Sequence, residues 1–381
     1  MTDELNEEHA EFRKVVREFA EAEIAPHAET WDQNHELPTD LIHAMGDLGL
    51  FGLTVPEEYG GAGADLTSVC IAIEEIGRVD QSIGLTLEAA VGLGVGPIVR
   101  YGTDEQRRRW LPDLASGRAL AAFALTEPDS GSDAAALRTR AREDGEHWVL
   151  DGSKQFITNS GTPLTSVITV AASTGEGEIS TILVPAGTPG LTVEPAYRKL
   201  GWHASDTHPL TLAGCRVPRE NLLGRRGGGL RQFLATLDEG RIAISALATG
   251  CIRACLEQAT AYAKQRTAFG SAIGSNQGVS FQLADLAVAA EAAALLTYSA
   301  AAAVDAGRPP SEITAKAAKA KLYSTEAAVG ATRTALQIFG GNGFMEEYPI
   351  ARFYRDAKIL EIGEGTSEVQ RLVIARSLGL G

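Results

Sequence analysis

Cysteine is scarce in this sequence, with four residues in a chain of 381, and none of them forms a Cys-x-x-Cys pair. Cys251 and Cys255 lie one helical turn apart, but a zinc site would need further ligands close by, and none is evident in the sequence. We therefore expect the cysteines to be core packing residues and expect no metal site. Their number and spacing give no indication of a disulfide framework.

Positively charged residues are also fewer than negatively charged ones. The chain has 34 lysines and arginines against 49 aspartates and glutamates, which gives a formal net charge of −15. This balance argues against a nucleic-acid groove as the main function. It is compatible with a phosphate-bearing ligand, because a few local arginines and helix N-termini suffice to bind one.

Targeting signals and long apolar runs are nearly absent. The start of the sequence, MTDELNEEHAEF, is acidic and polar, unlike a signal or transit peptide. The one long apolar run, Leu283–Val304, is mostly alanine and contains Asp285 and Glu291. It predicts a buried helix of a bundle rather than a membrane span. We expect a cytoplasmic protein with small-molecule partners and no membrane span.

The hydrophobic pattern changes twice along the chain and predicts three domains, at 1–118, 119–228 and 229–381. The first has helical periodicity, with one face of its first helix formed by Phe12, Val15, Val16 and Phe19. The second contains short β-rich runs separated by glycine and proline, such as Val167–Ala171 and Ser180–Val184. The third is helical again, with helices predicted at about 230–265, 279–306 and 312–339. Its alanine-heavy faces favour an oligomer interface.

The most informative stretch is Gln337–Arg371, QIFGGNGFMEEYPIARFYRDAKILEIGEGTSEVQR. Near its end Glu364 stands between two glycines, ahead of a helix whose residues Val369, Leu372 and Val373 predict one buried face. Desolvation at such a position can raise the pKa of a glutamate until it is a competent base near neutral pH. From these residues alone, a solvated glutamate in the first turn of a helix, favoured by the helix dipole, is the preferred interpretation.

Three further segments carry candidate ligand contacts, each with an ordinary explanation beside it. FALTEPDSGSDAAA at Phe123–Ala136 offers hydroxyls and backbone N–H groups, or is simply a turn. KQFITNSG at Lys154–Gly161 places an aromatic residue and a threonine after a strand, where an aromatic anchor is common. KQRTAFG at Lys264–Gly270 combines an arginine with an aromatic residue, or is a helix C-terminus where a cation is favoured.

Together these segments resemble the acyl-CoA dehydrogenases over essentially the whole chain. The C-terminal stretch is similar to that family's Q-x-x-G-G-x-G-F-x-x-E signature, and E-G-T-S follows where much of the family has its catalytic glutamate. ALTEPDSGSD resembles the family's other signature, L-T-E-x-x-x-G-S-D. The resemblance implies an α+β, mainly α fold, with a helical N-terminal domain, a middle β-barrel or sandwich and a C-terminal four-helix bundle. It also implies that Glu364 is the catalytic base.

The same resemblance implies a non-covalently bound FAD, with contacts from both the β domain and the helical bundle. In the implied arrangement Phe156 stacks on the flavin, Thr158 hydrogen-bonds to it, and Arg266 and Phe269 reach the FAD of a neighbouring subunit. The family often has tryptophan where Phe156 stands. The implied FAD contacts are Phe123, Leu125, Thr126, Ser132, Phe156, Thr158, Arg266, Phe269, Gln277, Gln337, Gly341, Thr366 and Glu368.

For the substrate, the resemblance implies contacts from Ser132, Asp238, Arg241 and Gly365 to the CoA thioester. Some relatives place the base one residue before the arginine of L-D-E-G-R, but here that position is Gly240, which cannot serve. His203, a lone histidine in a loop, is expected to be solvated and is assigned no catalytic role.

The implied activity is α,β-dehydrogenation of an acyl-CoA to the trans-2-enoyl-CoA, with electrons passed to an electron-transfer flavoprotein. The implied assembly is a homotetramer built as a dimer of dimers. Two alternatives remain open: an acyl-CoA oxidase or other flavin enzyme of the same fold, and a non-catalytic ligand-binding member. The residues do not determine the length or branching of the acyl chain, or the pathway.

Overall fold

Helices form the beginning of the chain. The structure, a computed structural model, describes residues 5–380. The N-terminal helices are α1 (Glu7–Phe19), α2 (Ala28–Asn34), α3 (Thr39–Asp47), α4 (Leu66–Val79), α5 (Gln81–Glu88), α6 (Gly96–Tyr101) and α7 (Asp104–Ala115). Between α5 and α6 the helix widens into a π-helical segment, Ala89–Val95, which begins directly after Glu88. Such widened turns occur frequently at functional sites.

Buried ion pairs attach α1 to the rest of the helical core. The guanidinium of Arg13 donates to the carboxylates of Glu74 and Glu75, each at 2.8 Å, and to the hydroxyl of Tyr298. Both glutamates are fully buried, and each has a second arginine beside it, Arg253 at Glu74 and Arg17 at Glu75, so their charges are paired as buried charges require. The face predicted for α1 is partly wrong, because Val16 is buried whereas Val15 is 44% exposed.

An eight-stranded sheet occupies the middle of the chain. Its strands are β1 (Leu120–Ala124), β2 (Arg140–Asp144), β3 (His147–Thr158), β4 (Thr165–Gly175), β5 (Glu178–Pro185), β6 (Leu191–Val193), β7 (Thr207–Pro218) and β8 (Leu222–Leu223). The order is β6-β7-β3-β2-β4-β5-β8, and β1 pairs with β4 in parallel. Trp148 and the apolar residues of neighbouring strands form its core. A register shift between Lys154 and Ile157 in β3 is a bulge, which turns side chains away from the regular alternation.

Long helices complete the fold. They are α8 (Gly229–Gln265), α9 (Gln277–Asp305) and α10 (Pro310–Phe339), followed by α11 (Pro349–Ala357) and α12 (Ser367–Ser377). A short hairpin of β9 (Thr267–Ala268) and β10 (Ser271–Ala272) connects α8 to α9. Gly250 lets α8 approach α4 closely, because a Cβ atom there would lie 2.4 Å from the carbonyl oxygen of Glu74. The domain boundaries predicted at 118 and 228 fall in the connecting segments 116–119 and 224–228.

The prediction that the run Leu283–Val304 is a buried helix of a bundle is partly wrong, because only one face of α9, with Ala293, Tyr298 and Ala301, is buried. Three helices are long and apolar enough to cross a membrane by length and composition alone: Gln81–Tyr101, Gly229–Gln265 and Gln277–Asp305. Within the apolar 18-residue stretch of each helix, 83% of the residues are buried in the first and 78% in the second. In Gln277–Asp305 the share is only 22%. The prediction used the low polarity of a run that is mostly alanine. Alanine favours a helix, but it does not determine which face of the helix packs against other elements. The face of α9 that carries Phe281, Val288 and Leu295 is exposed.

The predicted buried face of α12 also differs. Leu372 is 57% exposed, and the buried residues of this helix are Ser367 and Gln370. The reason is the position of the turn before α12, which directs Gln370 back toward residues 364 and 365.

Candidate active site

Glu364 lies in a tight turn between the 3₁₀ segment Lys358–Glu361 and α12. Its backbone has a φ of 53°, in the left-handed region that costs a non-glycine residue roughly 1–2 kcal/mol. Thr366 caps the helix that follows, accepting a hydrogen bond from the backbone N–H of Val369. The surrounding structure must supply contacts that hold this turn.

Side chains from three helices supply those contacts. Arg241 on α8 donates from Nε to the carbonyl oxygen of Glu364 at 3.3 Å. Lys321 on α10 donates from Nζ to the carbonyl oxygen of Gly365 at 2.9 Å. Gln370 on α12 donates to both carbonyl oxygens, at 3.4 and 2.9 Å. The turn is therefore fixed through its backbone, which leaves the side chain of Glu364 free of these donors.

The carboxyl group of Glu364 points into a tight apolar space beside α8. Its Oε2 atom is buried and has no nitrogen donor within residues 5–380, although the residue as a whole is half-buried. A Cβ atom at Gly240 would lie 2.5 Å from this oxygen and 3.0 Å from Leu93 Cδ2. Gly240 therefore makes room for the carboxyl group, because any larger residue would displace it.

A second carboxyl group, that of Glu88, faces Glu364 from the end of α5. Glu88 is fully buried, and neither of its carboxyl oxygens has a donor among the described residues. Burial raises its pKa well above the usual range, and the negative charge of Glu364 adds to the effect. Two such groups share a proton, so their titrations belong to the pair. With Glu88 protonated, its side chain donates a hydrogen bond to Glu364.

Burial is also the main influence on Glu364, and it raises the pKa of this residue to about 7. The hydrogen bond from Glu88 and the positive charges of Lys321 and Arg241 act in the opposite direction. The resulting carboxyl group exchanges its proton near neutral pH, which is the range that a general base requires.

A surface cleft of about 480 Å³ has Asp238 of α8 in its wall. It is lined by Gly177, Ile179, Gly227, Leu230, Arg231, Leu234, Ala235, Asp238 and Pro310. The carboxylate of Asp238 accepts hydrogen bonds from Arg241 at 2.7 Å and from the hydroxyl of Thr314 at 2.6 Å. Arg241 thus connects a wall of the cleft to the turn at Glu364. A larger cleft, between Arg140 and Arg226 on the sheet, does not include any of these residues.

The predicted cofactor residues of the β domain gather where β1 and β3 end. The backbone N–H of Gln155 donates to the carbonyl oxygen of Thr126, which joins the loop after β1 to β3. Phe123 packs against Phe233 of α8 with ring centroids 4.5 Å apart. The amide of Asn159 donates to the carbonyl oxygen of Thr86, two residues before Glu88. Of the predicted residues, this edge carries Phe123, Leu125, Thr126, Phe156 and Thr158, with Ser132 exposed in the loop beyond.

This edge has free surface of the kind that a flat polar aromatic ring requires. Phe156 has a φ of 61° at the bulge in β3, and its side chain is 59% exposed. The half-buried hydroxyls of Thr126 and Thr158 have no hydrogen-bond partner in the part of the chain that the structure describes. Behind the edge, Glu127 accepts a hydrogen bond from the buried Lys154 at 2.7 Å and keeps the loop in place. The residues present therefore fit a flavin.

The other predicted cofactor residues lie at the opposite end of α8. Arg266 begins the hairpin there, and it is about 37 Å from Arg241 at a rise of 1.5 Å per residue. The rings of Tyr262 and Phe339 stack at 4.2 Å and bring the end of α10 to the same place. The group consists of Arg266, Phe269, Gln277, Gln337 and Gly341, all exposed. One chain thus presents two separate sets of predicted contacts.

Two further predicted cofactor contacts, Thr366 and Glu368, lie on or next to α12. Thr366 caps α12 and Glu368 is exposed in the first turn of that helix. The expectation that His203 is solvated is wrong: it stacks on His35 with centroids 4.0 Å apart and lies 3.2 Å from Asp32. This contact joins residues distant in sequence, so the sequence pattern gave no sign of it.

Sequence reasoning missed Glu88, Leu93 and Lys321. A charged residue inside the apolar run GLTLEAAVGL was a usable signal for Glu88, since glutamate is rarely buried without a reason. Lys321 had no such signal. It stands in the run AKAAKAK with Lys316 and Lys319, and only the fold distinguishes the buried lysine from its neighbours.

Comparison with known proteins agrees with this geometry. Three domain models of the acyl-CoA dehydrogenase family match the chain: the N-terminal domain at residues 6–118, the middle domain at 122–215 and the C-terminal domain at 227–379. A probable acyl-CoA dehydrogenase of Bacillus subtilis is 47% identical over 381 residues, which cover 99% of this chain and 100% of that protein.

Solved structures with the same fold span nearly the whole chain. Butyryl-CoA dehydrogenase from Megasphaera elsdenii has a TM-score of 0.95 at 39% identity, with coverage of 99% of this chain and 100% of that chain. A chain in a structure of the electron transferring flavoprotein of Acidaminococcus fermentans has a TM-score of 0.96 at 40% identity, with 99% of both chains covered.

The Glu88–Glu364 pair predicts an unusual pH dependence of stability. A carboxyl group whose pKa is raised by folding stabilises the protein below its unfolded value of 4.5, and this contribution is lost as the pH rises toward the folded value. Glu88→Leu should therefore stabilise the protein relative to the unsubstituted chain by at least about 1 kcal/mol more at about pH 8 than at about pH 5.

Denaturant unfolding at both pH values measures this difference. Glu105→Gln, at an exposed site on α7, is the control and should show little change between the two conditions. An equal effect of Glu88→Leu at both pH values would mean that Glu88 does not carry a raised pKa.

Proposed function

Because the chain belongs to the acyl-CoA dehydrogenase family, we propose that Glu364 is the base that removes a proton from the α-carbon of an acyl-CoA thioester, giving the trans-2-enoyl-CoA. As a family member the chain is an FAD-dependent oxidoreductase that acts on a CH–CH group. When bound, FAD supplies the acceptor for the hydride that leaves the β-carbon. The observation that carries the proposal is a buried carboxyl group, faced by that of Glu88, on a turn fixed by side chains from three helices.

The pKa of about 7 gives the pH dependence of this step. Above that value Glu364 is a carboxylate and can accept the proton. As the pH falls through it, the fraction of competent base decreases. Gly240 leaves Glu364 as the candidate base at this centre, because α8 offers no carboxyl group at that position and Glu239 is paired with Arg100.

The turn can also activate the thioester. The α-proton becomes acidic only if the thioester carbonyl is polarised, which requires a hydrogen-bond donor aimed at its oxygen. The backbone N–H of Glu364 makes no hydrogen bond within residues 5–380, so it is available as such a donor. We assign the cleft at Asp238 to the pantetheine chain, because Asp238 is hydrogen-bonded to Arg241, which in turn donates to the Glu364 carbonyl oxygen.

For FAD, we assign this chain's Thr126, Thr158 and Phe156 to the flavin, supported by their free hydroxyls and exposed ring. Leu125 and Phe123 stand behind them, and Ser132 is placed at the outer side of the loop. Thr366 and Glu368 lie on α12, beside the turn of Glu364, and remain proposed contacts.

The second set of contacts supports a second copy of the chain as part of the site. Arg266 makes no side-chain hydrogen bond or ion pair in the described part of the chain, and Phe269 is fully exposed. At about 37 Å from Arg241 this set serves a different FAD molecule. Phe281, Val288 and Leu295 of α9 are seven residues apart, so they form one apolar stripe that a second copy can cover. We propose a homotetramer built as a dimer of dimers.

We propose an electron-transfer flavoprotein as the electron acceptor. The support is the similarity to a chain in the structure of the Acidaminococcus fermentans electron transferring flavoprotein. An oxidase of the same fold is the second candidate, and a non-catalytic ligand-binding member the third. The intact turn at Glu364 and the free donors around it favour catalysis over binding alone.

The first experiment is anaerobic bleaching of the flavin with a panel of acyl-CoAs that differ in chain length and branching. Glu364→Gln should retain FAD and bind the acyl-CoA that bleaches the unsubstituted protein, but flavin reduction should slow by about 10²–10⁴-fold. Glu312→Gln is the control, because Glu312 is exposed in the first turn of α10. If Glu364→Gln is reduced as fast as the control, another residue is the base.

The electron acceptor is identified by following reoxidation of the reduced flavin. After reduction by substrate, the protein should be reoxidised rapidly by an electron-transfer flavoprotein and slowly by air. Absorbance of the oxidised flavin follows both reactions. Rapid reoxidation by air would assign the oxidase instead.

The oligomer is tested on the stripe of α9. Val288→Glu places a charge in the stripe and should give a smaller species in light scattering, together with loss of FAD, because the second set of contacts is then removed. Val15→Glu is the control, since Val15 is 44% exposed on α1, apart from the stripe. A Val288→Glu protein that stays yellow as a monomer would show that one chain binds FAD by itself.

A further inference from the structure

Lys321 is a fully buried lysine in the middle of α10. Its Nζ donates to the carbonyl oxygen of Gly365 at 2.9 Å, across the space between α10 and the turn of Glu364. Lys316, one turn and a residue earlier, donates to Ser299, and Lys319 is exposed. An ammonium group in the core loses its hydration, so an apolar side chain would serve better if the position only required packing.

The turn that Lys321 holds is otherwise unfavourable. Glu364 has its φ at 53°, and Gly365 follows with a φ of 92°. Such a conformation persists when the surroundings fix it in more than one way. Arg241 and Gln370 are the other two donors, and of the three side chains Gln370 is neutral.

The charges around Lys321 come from four parts of the chain. Glu364 in the turn, Glu361 in the preceding 3₁₀ segment and Glu326 on α10 favour its charged form, and Arg241 on α8 disfavours it. Burial is the largest influence and lowers the pKa of Lys321 to about 8. Facing Glu364 are Glu88, Lys321 and Arg241. Between about pH 7 and pH 8, Lys321 and Glu364 are therefore both charged.

We propose that Lys321 is a positioning residue for the reaction, which fixes the turn through the Gly365 carbonyl and keeps a positive charge beside Glu364 so that the base is present as a carboxylate. This inference rests on the proposed role of Glu364. Arg241 also acts on Glu364, but it is engaged by Asp238, whereas within residues 5–380 the only hydrogen bond of the Lys321 ammonium is to the turn.

The test is the protonation of Glu364 in the resting, FAD-loaded protein, followed by infrared difference spectra as a function of pH. The carboxyl band that disappears in Glu364→Gln identifies the residue. Lys321→Met removes the charge and the hydrogen bond, and the midpoint of the Glu364 titration should rise by about one pH unit. Lys321→Arg keeps the charge and should leave the midpoint near its original value.

Activity supplies a second reading of the same effect. The acid limb of the pH profile for flavin reduction should move upward with Lys321→Met by the same amount, while Lys319→Met, at an exposed site on the same helix, should leave the profile unchanged. If Lys321→Met does not fold, Lys321→Gln keeps a donor to Gly365 without the charge and should show the same upward shift.

Two outcomes separate this inference from the proposed function. If no acyl-CoA bleaches the unsubstituted protein, the proposed function fails, but the infrared titration still reports on Lys321. If Lys321→Met lowers the melting temperature and leaves the Glu364 midpoint unchanged, Lys321 is only a structural tie and the inference is overturned.

Discussion

The arrangement of the candidate active site depends on one constraint, the burial of the Glu364 carboxyl group. Within residues 5–380 the Oε2 atom of Glu364 has no nitrogen donor, and the carboxyl group is neither fully ionised nor fully protonated near neutral pH. This balance requires an exact amount of space, which Gly240 provides on one side. It also requires that the backbone of the turn be held independently of the side chain. Arg241, Lys321 and Gln370 do so through the carbonyl oxygens of residues 364 and 365.

Three separate parts of the chain converge on that turn, so the fold has to be rigid where they meet. Buried charged residues of α11 join the three domains. Arg352 lies 3.3 Å from Asp80 of the N-terminal helices, and Asp356 accepts a hydrogen bond from the backbone N–H of Trp202 in the β domain. Burial raises the pKa of Asp356 to about 7, and the charge of Asp80 adds to this effect. Arg352 and Asp356 of α11 therefore connect the C-terminal helices to the other two domains.

The order of helices and strands could be predicted from the sequence because it depends on local residue patterns. The helices at 229–265, 277–305 and 310–339 follow from periodicity and from the proline break, and the β domain follows from short runs separated by glycine. Glu364 could be identified because its motif is continuous in sequence. The exposed side of α9 could not be derived in the same way, since alanine predicts a helix but says nothing about its neighbours. The buried position of His203 depends on Asp32, which is 171 residues away in sequence.

The sequence by itself determined the family, the order of the three domains and the identity of the candidate base, because each of these is encoded in contiguous residues. Only the tertiary structure decided the state of that base. Glu88 and Lys321 act on Glu364 from helices that lie far from it in the sequence. Burial distinguishes Lys321 from the nearby Lys316 and Lys319, and the sequence does not show it. The protonation of a buried group depends on desolvation and on charges a few ångströms away, and these distances exist only in the folded chain.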